Sequence, residues 1–125
     1  MGMHFRAVLA AAAISLTASG AAWAQAGFDG TYAGVSATLT GQMGTRSNGC
    51  VASFRPYPLT ISGGRAMSRW GTAGEPMQGT VDPQGKVVLH STLSGRFEGQ
   101  IDAQGTVKGN YLGACYYSMV WQRQR

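Results

Sequence analysis

Apolar and polar residues alternate on a period of two between residues 77 and 112, and the alternation is interrupted by one phrase that occurs twice. Gly79-Thr80-Val81-Asp82-Pro83-Gln84-Gly85-Lys86-Val87 is followed by Gly99-Gln100-Ile101-Asp102-Ala103-Gln104-Gly105-Thr106-Val107. A period of two marks a half-buried strand. Each phrase sets turn residues between two such strands: an Asp that can bond back onto the backbone, then Gly85 or Gly105 for a left-handed last position, with Pro83 pre-setting φ in the first copy. The pattern predicts two hairpins, each built on a type I turn closed by a left-handed Gly. In the second, Ile101 then faces Val107, Gly99 faces Gly109 and Phe97 faces Tyr111, while Gln100–Lys108 and Glu98–Asn110 take the polar side. In the first, Val81 faces Val87 and Gly79 faces Leu89.

The flanking chain reads in the same way. Residues 31–40 form a strand with Ala33, Val35, Ala37 and Leu39 on one face and Tyr32, Gly34, Ser36 and Thr38 on the other. A polar loop at 41–49 leads to a short strand at 50–55. Pro56 and Pro58 then require a sheet edge or a break, because neither donates to a ladder. Residues 57–70 make a hairpin about Gly63-Gly64, pairing Ile61 with Ala66, Leu59 with Ser68 and Tyr57 with Trp70, and placing Thr60, Ser62, Arg65, Met67 and Arg69 on the opposite face. A loop at 71–76 precedes the doubled hairpin. The last strand, 114–123, aligns Cys115, Tyr117, Met119 and Trp121.

Seven or eight short strands joined by local turns predict an all-β fold. The expected form is a small antiparallel up-and-down β-barrel, with a β-sandwich as the alternative. Gly34, Gly79, Gly99 and Gly109 suit the sharp coiling of a narrow barrel. Its expected inner aromatics are Tyr57, Trp70, Phe97, Tyr111, Tyr117 and Trp121.

Residues 1–24 break the pattern. Arg6, an apolar run over 7–16 and Ala22-Trp23-Ala24 have the three parts of a secretory signal peptide, and the run is too short to span a membrane. Its removal leaves one domain over residues 25–125 and an expected periplasmic or secreted location. The formal net charge of +5 falls to about +4 without Arg6 and is scattered rather than clustered, so no nucleic-acid partner is expected. In an exported chain Cys50 and Cys115, the two cysteines present, most simply form one disulfide.

Little catalytic chemistry is visible. His90 is the one histidine after the leader, on the polar side of its strand, and no Ser, Cys or carboxylate is spaced to act with it. Asp29, Asp82 and Asp102 serve turns, Glu75 falls in a loop and Glu98 lies opposite Asn110. No phosphate loop, dinucleotide fingerprint, nucleophile elbow or metal-ligand spacing occurs, so the expectation is a non-enzymatic protein without cofactor or metal. Arg65 and Arg69 share the outer face of one hairpin, roughly 13 Å apart at strand spacing, with Arg46 and Arg55 near in sequence. These four form a candidate anion-binding set.

The opening Phe28-Asp29-Gly30-Thr31-Tyr32, the repeated Gly-x-[Val/Ile]-Asp-x-x-Gly turns and the closing Cys115-Tyr116-Tyr117-x-x-x-Trp121-x-Arg123 resemble small exported proteobacterial all-β proteins of unassigned function. Size and the single bridge also resemble periplasmic inhibitors of lysozyme and of metalloproteases. Three readings follow: a binding protein attached to anionic envelope polymer or a protein partner, an inhibitor of an envelope-attacking hydrolase, and a calyx for a small apolar ligand.

Overall fold

The computed structural model describes residues 27–45, 49–92 and 95–125, so the leader and Arg46 lie outside the described residues. Nine strands run in chain order: β1 (Gly30–Gln42), β2 (Ser53–Phe54), β3 (Leu59–Ser62), β4 (Arg65–Trp70), β5 (Glu75–Val81), β6 (Lys86–Ser91), β7 (Arg96–Ile101), β8 (Thr106–Leu112) and β9 (Cys115–Arg123). From β3 to β9 each strand pairs antiparallel with the next, and β1 pairs with both β3 and β9. Eight strands therefore close an up-and-down barrel. The extra strand, β2, lies beside the far half of β1 (Ala37–Phe54, Thr38–Ser53), on the edge where β3 covers the near half. Pro56 and Pro58 separate the two and make the break the prolines require.

Turn chemistry sets the hairpins. The Asp82 Oδ1 accepts the Gln84 and Lys86 N–H groups, and the Asp102 Oδ1 those of Gln104 and Thr106, all at 2.9 Å. Gly85 and Gly105 take φ of 85° and 78°, the left-handed conformation that closes such a turn. Their carbonyls accept the Ile101 and Arg123 N–H groups at 2.9 Å, and the Gly64 carbonyl accepts that of Val81 at 2.8 Å. Each turn thereby carries the ladder to the next hairpin one rung further. All five predicted pairs of the second hairpin, Val81–Val87, Gly79–Leu89 and Ile61–Ala66 are present.

The core is the inward row of these strands. Trp121, Tyr32, Phe97, Leu59, Ile61, Met77, Leu89 and Met119 are all fully buried. Phe97 meets Trp121 edge to face at 5.1 Å. The Trp121 Nε1–H donates to the Tyr57 carbonyl at 2.8 Å, which satisfies the indole without water. Cys50 and Cys115 are bridged with Cα atoms 5.8 Å apart, joining the chain after β1 to the start of β9.

Several expectations are corrected. Tyr32 and Ala37, assigned to opposite faces, are both fully buried, and Val35, assigned to the face of Ala37, is 51% exposed. The β1–β9 register shifts between Gly34 and Ser36 and again between Leu39 and Gly41. A bulge inserts one residue, so the faces exchange across it; β1 needs that extra coiling to reach two neighbours and close the barrel. Tyr57 is not a core aromatic: it is 39% exposed, because the ladder begins only at Leu59, after Pro58. Glu75 and Pro76 belong to β5, pairing with Trp70 and Arg69, so the preceding turn is only residues 71–74. The first strand likewise extends to Gln42, into the expected loop.

Strand direction divides the barrel into unlike ends. The turns after β3, β5 and β7 share one end, with Asp82, Asp102 and the Asp29 carboxylate that accepts the Gly63 N–H at 2.9 Å. The opposite end holds the disulfide and the exposed side chains of Met43, Val51 and Leu112.

Candidate functional site

Strand parity puts Arg65, Met67 and Arg69 outward on β4, because Ala66 on the same strand is buried in the core. The flanking strands contribute Thr60 from β3 and Pro76, Gln78 and Thr80 from β5, aligned as Thr60–Met67–Gln78, Arg65–Thr80 and Arg69–Pro76. All of these side chains are exposed. Two hollows lie along this face. One of about 400 Å³ is lined by Tyr57, Pro58, Thr60, Met67, Ser68, Arg69 and Pro76. The other, about 260 Å³, is lined by Arg65, Ala66, Met67, Gln78, Gly79 and Thr80. Met67, 60% exposed, lines both, so they form one interrupted groove with an arginine in each half.

The electrostatics of the groove are one-sided. Glu75, the acidic residue nearest in the β4–β5 ladder, shares the face of Trp70 and Met77, not that of Arg69 and Pro76. Its carboxylate accepts a hydrogen bond from the Thr92 hydroxyl at 3.3 Å. The Arg69 Nη1 donates to the Gly74 carbonyl at 3.2 Å, which fixes the guanidinium and leaves its charge uncompensated by that partner. Across the barrel Arg96 is ion-paired with Glu98, and that guanidinium holds the Glu98 carboxyl below the usual carboxylate range.

Of the four candidate arginines, the structure brings Arg65 and Arg69 onto one groove. Arg55 is exposed just after β2, two residues before Tyr57, and lines neither half; Arg46 lies outside the described residues. The apolar part of the lining, Tyr57, Pro58, Met67 and Pro76, was not anticipated as a site. A signal for it exists in Met67, a large apolar residue between two arginines on the polar side of a strand.

A second cluster occupies the disulfide end. Phe54 meets Trp70 and Tyr117 edge to face at 5.5 and 5.0 Å, and Trp70 stacks on Tyr111 at 3.5 Å. With Val51 and the bridge these rings, apart from Tyr111, line a hollow of about 170 Å³. Three tyrosine hydroxyls of the barrel are internally bonded: Tyr117 to the Val51 carbonyl, Tyr32 to the Phe28 carbonyl, both at 2.7 Å, and Tyr111 with the Ser91 hydroxyl at 3.2 Å.

Burial raises all three phenols above their ordinary value, because the phenolate is poorly solvated there. The folded state thus holds these protons more tightly than the unfolded chain. Their contribution is intact below the unfolded value of about 10 and is lost as pH rises through the higher folded values. A brief-exposure denaturation series should therefore give a constant midpoint from pH 8 to about 9.5 and a falling one above about 10. A midpoint unchanged to pH 12 would mean that these tyrosines are not buried in the folded state.

His90 is exposed on β6, opposite Gln78 and Arg96 in the ladders. Among the described residues no group of three or more His, Cys, Asp or Glu is placed to hold a metal ion, and no helix is long and apolar enough to cross a membrane. The geometry of the β4 groove, two cations spaced along one strand on either side of an exposed methionine, suits contact with an extended anionic partner rather than the grip of one anion. Comparison of the chain with protein-family models, with curated proteins and with solved structures yields no match.

Proposed function

We propose that this chain is an exported, non-enzymatic binding protein of the periplasm or extracellular space that attaches to anionic envelope material through the outer face of β4. The observation that carries this reading is the outward row Arg65–Met67–Arg69, two cations flanking an exposed methionine on a groove with no carboxylate on its β5 side. Burial does not explain those charges, since the opposite face of the same strand builds the core. The disulfide is compatible with an oxidising compartment. Exposed ion pairs contribute roughly 0–1 kcal/mol each, so the attachment is modest and salt-sensitive.

Co-sedimentation with envelope membranes should detect binding at low ionic strength that disappears near about 0.15 M, where the Debye length shrinks to roughly 8 Å. The double variant Arg65→Ala/Arg69→Ala should abolish it at low salt without altering the melting temperature. Binding that survives both salt and the double variant would remove β4 from consideration.

One observation favours a second reading, inhibition of an envelope-attacking hydrolase such as a lysozyme or protease. Met43, Val51 and Leu112 are exposed at the disulfide end, where Val51 lines the 170 Å³ hollow together with Gly71 and Thr72 of the turn at 71–74. A tight inhibitor needs an apolar anchor of that kind. Salt-resistant binding lost in Val51→Asp or Leu112→Asp would favour it.

A further inference from the structure

We infer that the occupant of the β4 groove is an extended acidic segment of a partner protein, carrying two carboxylates four residues apart with an apolar residue midway between them. The inference rests on the proposed anion attachment and names its ligand class. Three features of the groove select the occupant.

The first is charge complementarity at a fixed spacing. Arg65 and Arg69 are outward on one strand at i and i+4, and the flanking outward positions Thr60, Pro76, Gln78 and Thr80 are uncharged. An extended chain advances about 3.3 Å per residue, so its own i and i+4 side chains repeat at the same ~13 Å. Two acidic side chains of such a segment therefore repeat at the spacing of the two arginine positions.

The second is what lies between the cations. Met67 is 60% exposed and shared by both hollows, with Tyr57, Pro58 and Pro76 extending the apolar lining. The i+2 side chain of an extended segment projects to the same side as i and i+4, which places one apolar residue over Met67. An acidic polysaccharide supplies the charges but covers this lining with hydroxyls.

The third is shape. The hollows, about 400 and 260 Å³, lie along β4 between β3 and β5. A linear chain follows that course, whereas a flat headgroup layer touches only the arginine tips. The β4 backbone is already paired on both sides over residues 65–67. Recognition is therefore by side chains on the face, not by addition of a strand to an edge.

The test uses the whole exported chain and a fluorescein-labelled peptide of sequence Ser-Glu-Ser-Leu-Ser-Glu-Ser, read by anisotropy at low ionic strength. Peptides with Gln for both Glu, with Ser for Leu, or with one Ser removed between the two Glu serve as comparisons, beside polygalacturonate and phosphatidylglycerol vesicles. The parent peptide should bind, and each altered peptide should bind more weakly. Arg65→Gln and Arg69→Gln should each weaken the parent by up to about five-fold, and Met67→Ser by roughly ten-fold or more. An unchanged melting temperature in all three variants confirms that the face, not the fold, was altered. Equal binding of the parent, Leu-less and shortened peptides would overturn the inference. So would binding of polygalacturonate or vesicles without the peptide, which would leave the anion attachment standing. Binding of none of the three probes would overturn both.

Discussion

Gly109→Ala is expected to unfold the barrel or to destabilise it by more than about 3 kcal/mol, at the upper limit of ordinary overpacking. Gly109 sits on β8 between Gly99 of β7 and Met119 of β9, with the Phe97 ring packed against it. A Cβ built there falls 2.1 Å from the Glu98 carbonyl oxygen, 2.5 Å from the Gly99 Cα and 2.7 Å from the Phe97 ring. The first two are backbone atoms of the neighbouring strand and cannot turn aside. The ring is fully buried, with Trp121 on its other flank at 5.1 Å. The modest gain from a stiffer unfolded chain, about 0.4–1 kcal/mol, is too small to offset such a clash. Gly41→Ala is the matched comparison, since its new Cβ meets only the Tyr116 side chain at 3.0 Å. That ring is half-buried and free to move by a few tenths of an ångström, so a cost below about 1 kcal/mol is expected. Thermal melts of the two variants decide the matter. A Gly109→Ala melting temperature within a few degrees of the parent would show that β7 and β8 do not approach as closely as described.

Removing the disulfide is the second change with a large expected effect. Cys50 and Cys115 are 65 residues apart in sequence, and a loop of that length corresponds to about 4 kcal/mol in the chain-entropy model. For a domain of about 100 residues this translates to a fall in melting temperature on the order of 20 °C. The effect should be concentrated at one end. The bridge ties the segment after β1, which leads into the two-residue strand β2, to the first residue of β9. Val51, next to Cys50, accepts the Tyr117 hydroxyl at 2.7 Å, and Phe54 packs on Trp70 and Tyr117. In Cys50→Ser/Cys115→Ser, fluorescence dominated by Trp70 should respond to heating before that of Trp121, which is buried in the barrel; a Trp121→Phe background isolates the first signal. Identical melts with and without the bridge would assign the stability of that end to β1–β9 pairing alone.

The registers that were legible in advance are those dictated by neighbours in sequence. In both copies of the doubled hairpin, the Asp and the left-handed Gly fix which residues oppose, and alternation then assigns the faces. The cysteine pairing followed from there being two cysteines in a chain whose first residues have the pattern of a secretory leader. The faces of β1 were not legible in the same way. Nothing around Val35 announces a bulge; the bulge exists because one strand must serve β3, β2 and β9 at once. A Cβ built on Gly34 falls 1.9 Å from the Pro56 carbonyl oxygen, so that glycine admits the proline break between β2 and β3. In the sequence the two are merely a strand glycine and a distant proline.

The candidate site divides along the same line. That Arg65, Met67 and Arg69 point to one side follows from strand parity, which is local. That Pro58, Tyr57 and Pro76 border them, that Arg55 lies apart, and that Tyr57 leaves the core depend on how β3 and β5 are set beside β4. The hairpins, their turns and the all-β class were legible in the residues themselves, because backbone sterics and a period of two act over a few positions, and the bridge was legible because there are two cysteines to pair. The bulges of β1, the extra strand and the groove were not legible there. Those features arise from closing the sheet into a barrel, where one strand's coiling is set by strands far from it in the chain.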